Sequence, residues 1–137
     1  MENYRHIVQY YETDKMGITH HSNYIRWMEE ARVDFLKKIG WPFERLEELG
    51  IISPVVEANL KYMTSTTFAE EVDIRVKVDE FKGVRLRLSY LMTNRDGKTV
   101  CESQSVHCFL NSEGRPVRLS REFPDFYETL MSLIDEA

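Results

Sequence analysis

The chain has 137 residues, of which 42% are hydrophobic and 30% are charged, and its net charge is −5. This length predicts one domain, residues 1–137, with a core of its own and no room for separate cofactor and substrate domains. No basic cluster suits the binding of nucleic acid, and no apolar run reaches the roughly 20 residues of a membrane span. We therefore expect a partner other than nucleic acid or a membrane.

The start of the chain and its cysteines indicate the compartment. The first residues lack the basic segment and apolar block of an export signal, so a cytoplasmic location is expected. Cys101 and Cys108 lie in one predicted strand, which at about 3.3 Å per residue keeps them too far apart for a disulfide. Both thiols should be reduced, as thiols are in the cytoplasm.

The first predicted elements are a strand and a long helix. The segment NYRHIVQYY is rich in β-branched and aromatic residues and is predicted to form a strand that ends near Tyr11. The apolar positions of a helical repeat follow: Tyr24, Met28, Ala31, Phe35 and Ile39. Ile25, Trp27 and Leu36 widen this apolar stripe, so the helix should be covered on several sides. Gly40 is a stop signal for it.

The remainder of the chain predicts a short helix, four strands and a terminal helix. The short helix lies in PFERLEELG and the terminal helix in REFPDFYETLMSLIDEA. Apolar residues alternate in four runs between them: Val56, Ala58, Leu60, Tyr62; Val72, Ile74, Val76, Val78; Val84, Leu86, Leu88, Tyr90; and Val106, Cys108, Leu110. Short turns such as NRDGK make neighbouring strands antiparallel.

This order of elements predicts an α+β fold, in which a long central helix packs on an antiparallel five-stranded sheet and a C-terminal helix follows. One such helix covers only one face of the sheet. The sheet edges and the remaining apolar surface are covered most economically by a second copy of the chain. A homodimer is therefore expected.

Asp14 lies between the first strand and the long helix, in the segment ETDKMGITHHSNY. Its ordinary role would be that of a turn or capping aspartate. Alternatively, the unpaired amides of the nearby helix N-terminus would favour its ionised form at neutral pH. Gly17 would let the loop fold back with positive φ or let a ligand approach the backbone.

The consecutive histidines of this segment do not form a metal site. His20 and His21 should point in different directions, and no further ligands stand at zinc-site spacing. Ser22 is expected to cap the helix, since the sequence has no G-x-S-x-G elbow that would make it a nucleophile. Phosphate-binding and dinucleotide-binding glycine motifs are absent too, so we expect no metal and no cofactor.

What remains is a carboxylate opposite a helix N-terminus whose free N–H groups could hold an oxyanion. This pair suits acyl transfer. A thiol with a pKa around 8.5 leaves readily as thiolate, so a thioester demands less of such a site than an amide does.

The same segment resembles the loop of the hotdog-fold acyl-CoA thioesterases, of the 4-hydroxybenzoyl-CoA thioesterase type. ETDKMGITHHSNY has Asp14 at the position of the catalytic aspartate, Gly17 at the glycine, and His21 at the helix start, followed by Asn23-Tyr24. The element order over nearly the whole chain is also similar to the hotdog fold. Departures from the pattern are Glu12, Thr19 and His20, which bear on the acyl pocket more than on the chemistry.

The resemblance implies hydrolysis of an acyl-CoA thioester, with Asp14 as general base or nucleophile and the backbone amide of His21 as oxyanion donor. It implies that Gly17, His20 and Tyr24 contribute to substrate binding. The site would lie between subunits of a homodimer, which in this fold often pairs further into a dimer of dimers. The His21 side chain occurs at this place in short-chain members and indicates an aliphatic acyl group.

Two alternatives stay open. One is a thioesterase acting on an acyl carrier protein, which basic residues such as Arg26, Lys61, Arg85 or Arg87 could dock although the chain is acidic overall. The other is a module that binds acyl-CoA without cleaving it. Neither the basic residues that hold the CoA phosphates nor the acyl length follows from the sequence, and a solvated sheet face explains Arg75, Lys77, Arg85 and Arg87 more simply.

Overall fold

The helix predicted from the apolar repeat is α1, Ser22–Lys38, in a computed structural model that describes residues 1–134. The buried residues of this helix are Asn23, Tyr24, Trp27, Met28, Ala31, Arg32, Phe35 and Leu36. They include most of the predicted stripe and confirm that the helix is covered on several sides. Ile25 differs, because 51% of it is exposed.

The remaining elements follow the predicted order. They are β1 (Tyr4–Ile7), α2 (Phe43–Glu48), β2 (Val55–Tyr62), β3 (Glu71–Phe81), β4 (Arg85–Thr93), β5 (Thr99–Cys108), α3 (Leu119–Glu122) and α4 (Pro124–Ile134). The strands form one antiparallel sheet in the order β1-β3-β4-β5-β2. The predicted α+β architecture is thus confirmed, while residues 135–137 of the predicted terminal helix lie outside the described residues.

Two boundaries differ from the prediction. The first strand ends at Ile7, and the tyrosines that follow belong to a 3-10 turn, Tyr10–Glu12. This turn forms because the Glu12 side chain accepts a hydrogen bond from the backbone N–H of Gln9 and so bends the chain away from the sheet. The short helix α3 was not predicted.

The central strands separate an apolar face from a polar one. On β4, Leu86, Leu88, Tyr90 and Met92 are buried, whereas Arg85 and Arg87 are exposed on the other face. Exposed Arg75 of β3 also fits the expected solvated sheet face. No helix within residues 1–134 has the length and apolar character needed to cross a membrane.

The strand β2 is more exposed than its alternating sequence predicted. It pairs with β5 on one side and forms an edge of the sheet. Val56 and Tyr62, predicted to point inward, are 46% and 50% exposed, and Val55 is 49% exposed. In the single chain the apolar side chains of β2 therefore lie on the surface.

Polar groups form a hydrogen-bonded chain inside the sheet. Ser105 Oγ lies 2.7 Å from the Tyr90 hydroxyl and 2.7 Å from His107 Nε2, and all three residues are buried. Burial, and to a smaller extent the charge of nearby Arg32, lower the pKa of His107 to about 4. Burial likewise raises the pKa of Tyr90 to about 12. Both side chains are therefore neutral at pH 7.

We predict that His107 makes the fold sensitive to mild acid. In the unfolded chain a histidine has a pKa of about 6.5, whereas the folded His107 has one of about 4. Between about pH 6.5 and about pH 4 the unfolded state therefore binds an extra proton at His107. The free energy of unfolding consequently falls as the pH falls through this window. His107→Gln, which keeps a nitrogen near Ser105, should reduce this fall.

Urea denaturation across this pH window checks the prediction. The carboxylates contribute equally to both proteins, so the difference between the two pH slopes isolates His107. Equal losses of stability in wild type and His107→Gln would contradict it.

Candidate functional site

The segment between β1 and α1 folds as a small hairpin, which we call the site hairpin (residues 12–20). The backbone N–H of His20 donates to the Glu12 carbonyl at 2.8 Å, and that of Asp14 donates to the Ile18 carbonyl at 2.9 Å. A β-bridge between Thr13 and Thr19 lies between these two bonds. Asp14 thus lies in one arm of the hairpin, and the other arm ends at His20, directly before the start of α1.

Asp14 begins the turn of the site hairpin. The N–H of Gly17 donates to the Asp14 carbonyl at 3.0 Å, and the N–H of Met16 donates to Asp14 Oδ1 at 2.8 Å. The side chain thus stabilises its own turn, as the ordinary reading of a turn aspartate expects. This contact also fixes the direction of the carboxylate, which is half-buried.

Gly17 closes the turn with φ of +80°. This positive φ agrees with the first role predicted for the residue. A Cβ atom added at Gly17 would meet nothing within 4 Å in the single chain. Backbone conformation, rather than crowding within the chain, therefore requires glycine here.

Two threonines after β2 tie the site hairpin to the body of the protein. Thr66 is 1% exposed; its carbonyl accepts from the N–H of Thr19 at 2.9 Å, and its hydroxyl lies 3.1 Å from that of Tyr24. The Thr67 hydroxyl donates to the Gly17 carbonyl at 2.9 Å. Tyr24, a predicted substrate-binding residue, is 4% exposed and lies beneath the hairpin, where burial raises its pKa.

His20, not Ser22, caps the start of α1. The N–H of Ser22 lies 3.2 Å from His20 Nδ1, and the N–H of Asn23 donates to the His20 carbonyl at 3.0 Å. The Ser22 hydroxyl bonds to the same His20 nitrogen at 2.8 Å instead of to a helix amide. The predicted capping serine was therefore wrong, because a neighbouring imidazole occupies the position of the cap.

The side chains of the two histidines lie together rather than apart. Their rings stack with centroids 4.3 Å apart, which corrects the expectation that they point in different directions. The Tyr62 ring of β2 meets His21 edge-on at 6.4 Å and Tyr24 at 5.3 Å. An exposed aromatic surface therefore joins the start of α1 to the edge strand.

The backbone N–H of His21 is the free donor at this helix start. Those of Ser22, Asn23 and Tyr24 have acceptors on His20 or on the His21 carbonyl. Within residues 1–134, the hydrogen bonds include none donated by the His21 N–H. This N–H lies at the positive end of a 17-residue helix, where a negatively charged oxygen would be stabilised.

Glu12 is the residue of the site hairpin whose role the sequence did not indicate. It is 5% exposed, and its carboxylate lies 2.8 Å from His6 Nε2 and 2.7 Å from Trp27 Nε1. Burial acts to raise the pKa of Glu12, but the hydrogen bonds from Gln9, Trp27 and His6 together lower it. The carboxylate is thus ionised at neutral pH. The spacing of Gln9 and Glu12, which matches a capping box, was the available signal.

The site hairpin and the helix start that follows it therefore present two groups of complementary character. Asp14 offers a carboxylate at the turn, and His21 offers a free N–H at the helix start. A carboxylate can take a proton from water or attack a carbonyl carbon, while an amide N–H can stabilise the oxygen that becomes negative. The arrangement can act on an acyl group.

Comparison with known proteins agrees with this reading. Residues 8–131 match the model of the thioesterase-like superfamily. The Bacillus subtilis protein YneP, which has the provisional name of an acyl-CoA thioesterase, is 31% identical over 121 residues, or 88% of each chain. The 4-hydroxybenzoyl-CoA thioesterase of Pseudomonas sp. strain CBS-3 is 23% identical over 88% of this chain and 91% of its own.

The fold is similar to that of a solved enzyme. A DHNA-CoA thioesterase structure from Staphylococcus aureus superimposes with a TM-score of 0.91 and 32% identity, covering 96% of this chain and 89% of that one. Together these likenesses confirm both the hotdog fold and the resemblance to the 4-hydroxybenzoyl-CoA thioesterase type.

We predict that Gly17→Ala lowers the free energy of unfolding by about 1 kcal/mol, because alanine is strained at positive φ. Gly97→Ala is a matched control: its φ is +79°, and it too has nothing within 4 Å of an added Cβ. The two substitutions should cost the same in urea denaturation. A Gly17→Ala variant as stable as wild type would contradict the observed turn.

Proposed function

The chain belongs to the thioesterase-like superfamily, and we propose that it hydrolyses an acyl-CoA thioester to the free carboxylic acid and CoA. The observation that carries the proposal is the free N–H of His21 at the start of α1, directly after the hairpin that holds the Asp14 carboxylate. The names of the relatives support the choice of an acyl-CoA donor over an acyl carrier protein.

Asp14 acts as general base or as nucleophile. As a base, it takes a proton from water while the water oxygen bonds to the thioester carbon. As a nucleophile, its carboxylate bonds to that carbon and water later hydrolyses the anhydride. In both routes the carbonyl oxygen becomes negative next to the His21 N–H, the carbon–sulfur bond breaks, and the thiolate takes up a proton.

Single turnover in ¹⁸O-labelled water separates these routes. If Asp14 is the nucleophile and water hydrolyses the anhydride at the Asp14 carboxyl carbon, the label enters Asp14 and the product acid of that turnover leaves unlabelled, whereas a general base directs all label to the product acid.

The acyl group lies along the aromatic surface of His20, His21 and Tyr62, with Gly17 lining the approach to Asp14. A histidine occurs at the position of His21 in short-chain members of the family, which favours an aliphatic acyl group. The S. aureus relative, by its name, acts on DHNA-CoA, and stacked rings favour an aromatic one. A panel of aliphatic and aryl acyl-CoA substrates in a free-thiol assay decides between them.

The site is completed by a second copy of the chain. Tyr62 joins the site to the edge strand β2, so the solvent-exposed side of the site and the unpaired edge belong to one surface. Exposed Ile25 and Val33 of α1 add further apolar area to the surface of the single chain. A symmetric partner that covers this surface excludes water from the site as well.

We predict that Asp14→Asn abolishes turnover, lowering kcat by at least about 100-fold, and leaves the fold intact. Asparagine keeps the Oδ1 atom that accepts from the Met16 N–H, so the turn survives. His21→Ala is the matched control, because it removes the imidazole but keeps the backbone N–H. It should retain kcat within about tenfold. A free-thiol assay of acyl-CoA hydrolysis with circular dichroism checks both.

Three outcomes count against this assignment. Near wild-type turnover by Asp14→Asn would leave Asp14 as a turn residue only. A loss in His21→Ala as large as that in Asp14→Asn would mean that the imidazole participates. Thermal-shift binding of acyl-CoA without product release by the wild type would favour the non-catalytic binding module.

We predict that Val56→Lys weakens the dimer and lowers kcat/KM at least about tenfold, because it places a charge on each of two facing edge strands. Leu91→Lys is the control: Leu91 is 39% exposed on β4, a strand inside the sheet. Light scattering should give a dimer or dimer of dimers for wild type and Leu91→Lys. A monomeric Val56→Lys with full activity would contradict a shared site.

A further inference from the structure

We infer that Glu12 is a positioning residue that holds Asp14 and the His21 N–H in their relative places, an inference that rests on the proposed function. Glu12 is 5% exposed, so its carboxylate is not available to a substrate. Any effect on the reaction must pass through the hairpin that Glu12 anchors.

The Glu12 side chain receives three donors from three parts of the chain. Oε1 accepts from His6 Nε2 of β1 and from the Gln9 N–H, both at 2.8 Å, and Oε2 accepts from Trp27 Nε1 of α1 at 2.7 Å. A carboxylate accepts all three hydrogen bonds. In a glutamine amide the NH₂ group, itself a donor, would face at least one of the three donors. The anchor therefore requires the anion.

The main chain of Glu12 connects its buried side chain to both reacting groups. Its carbonyl accepts from the N–H of His20 at 2.8 Å and from Asn23 Nδ2 at 2.9 Å. His20 is followed directly by His21, and Asp14 comes two residues after Glu12. A displacement of Glu12 therefore moves the carboxylate and the oxyanion donor relative to each other.

Glu30 provides a matched control on the same imidazole. Its carboxylate lies 3.0 Å from His6 Nδ1, with the side chain 43% exposed, and it is reached by the Tyr4 hydroxyl at 3.5 Å. No hydrogen bond among residues 1–134 joins Glu30 to the site hairpin. Glu30→Gln therefore perturbs His6 without releasing residues 12–20.

Glu12→Gln should lower kcat about 10- to 100-fold after correction for the folded fraction, while KM for acyl-CoA changes less than about threefold. Glu30→Gln should keep kcat within about twofold of wild type. Hydrogen exchange followed by mass spectrometry should show faster exchange of residues 13–21 in Glu12→Gln and unchanged exchange in β4. A purely structural role would lower stability in both variants and leave kcat of the folded protein unchanged.

A double-substitution cycle tests whether Glu12 acts through Asp14. In the Asp14→Asn background, Glu12→Gln should cost less than about threefold of the residual rate, because the group it positions is already gone. Full additivity overturns the inference, as does equal loss of kcat in Glu12→Gln and Glu30→Gln.

The remaining outcomes separate the inference from the proposed function. Wild-type kcat in Glu12→Gln together with an inactive Asp14→Asn overturns only the role of Glu12. An active Asp14→Asn overturns the proposed function itself. If Glu12→Gln does not fold, Trp27→Phe removes one of the three donors, and a wild-type kcat in that variant overturns the inference.

Discussion

The hydrogen bonds to the buried carboxylate of Glu12 are the interactions on which the rest of the site depends. An ionised carboxylate is costly to bury unless donors replace the water it loses. Here His6, Gln9 and Trp27 supply those donors from β1, the following turn and α1. The same residue that satisfies its charge inside the protein therefore fixes how the site hairpin leaves the sheet and enters the helix.

Most of the site is built from main-chain geometry rather than from conspicuous side chains. The turn of Asp14 and Gly17 and the position of the His21 N–H depend on the backbone hydrogen bonds within residues 12–20. Of the two adjacent histidines, His20 caps the helix with its imidazole, whereas the proposed function uses mainly the backbone amide of His21.

The sequence predicted what depends on local chemistry and periodicity. The stripe of α1, the order of helices and strands along the chain and the turn at Gly17 follow from spacing and from backbone preference. It failed where a distant residue decides the outcome. Thr66 reaches Thr19 across 47 positions, and the role of Glu12 needs Trp27 of the helix as partner, so no local pattern shows either contact. The strand β2 looked half-buried because its alternation describes a surface that this chain alone leaves uncovered.

The exposed strand β2 and the exposed site therefore belong to the same surface of the single chain. A hydrogen bond from the His21 N–H to an oxyanion is weak in water and much stronger where the local dielectric constant is low. The single chain leaves His21 and Tyr62 at the surface, where water competes for that bond. Tyr62 is the last residue of the edge strand β2. A partner chain that pairs with the free backbone groups of β2 would therefore also exclude water from the site. In the proposed function, assembly and catalysis therefore depend on the same burial of surface.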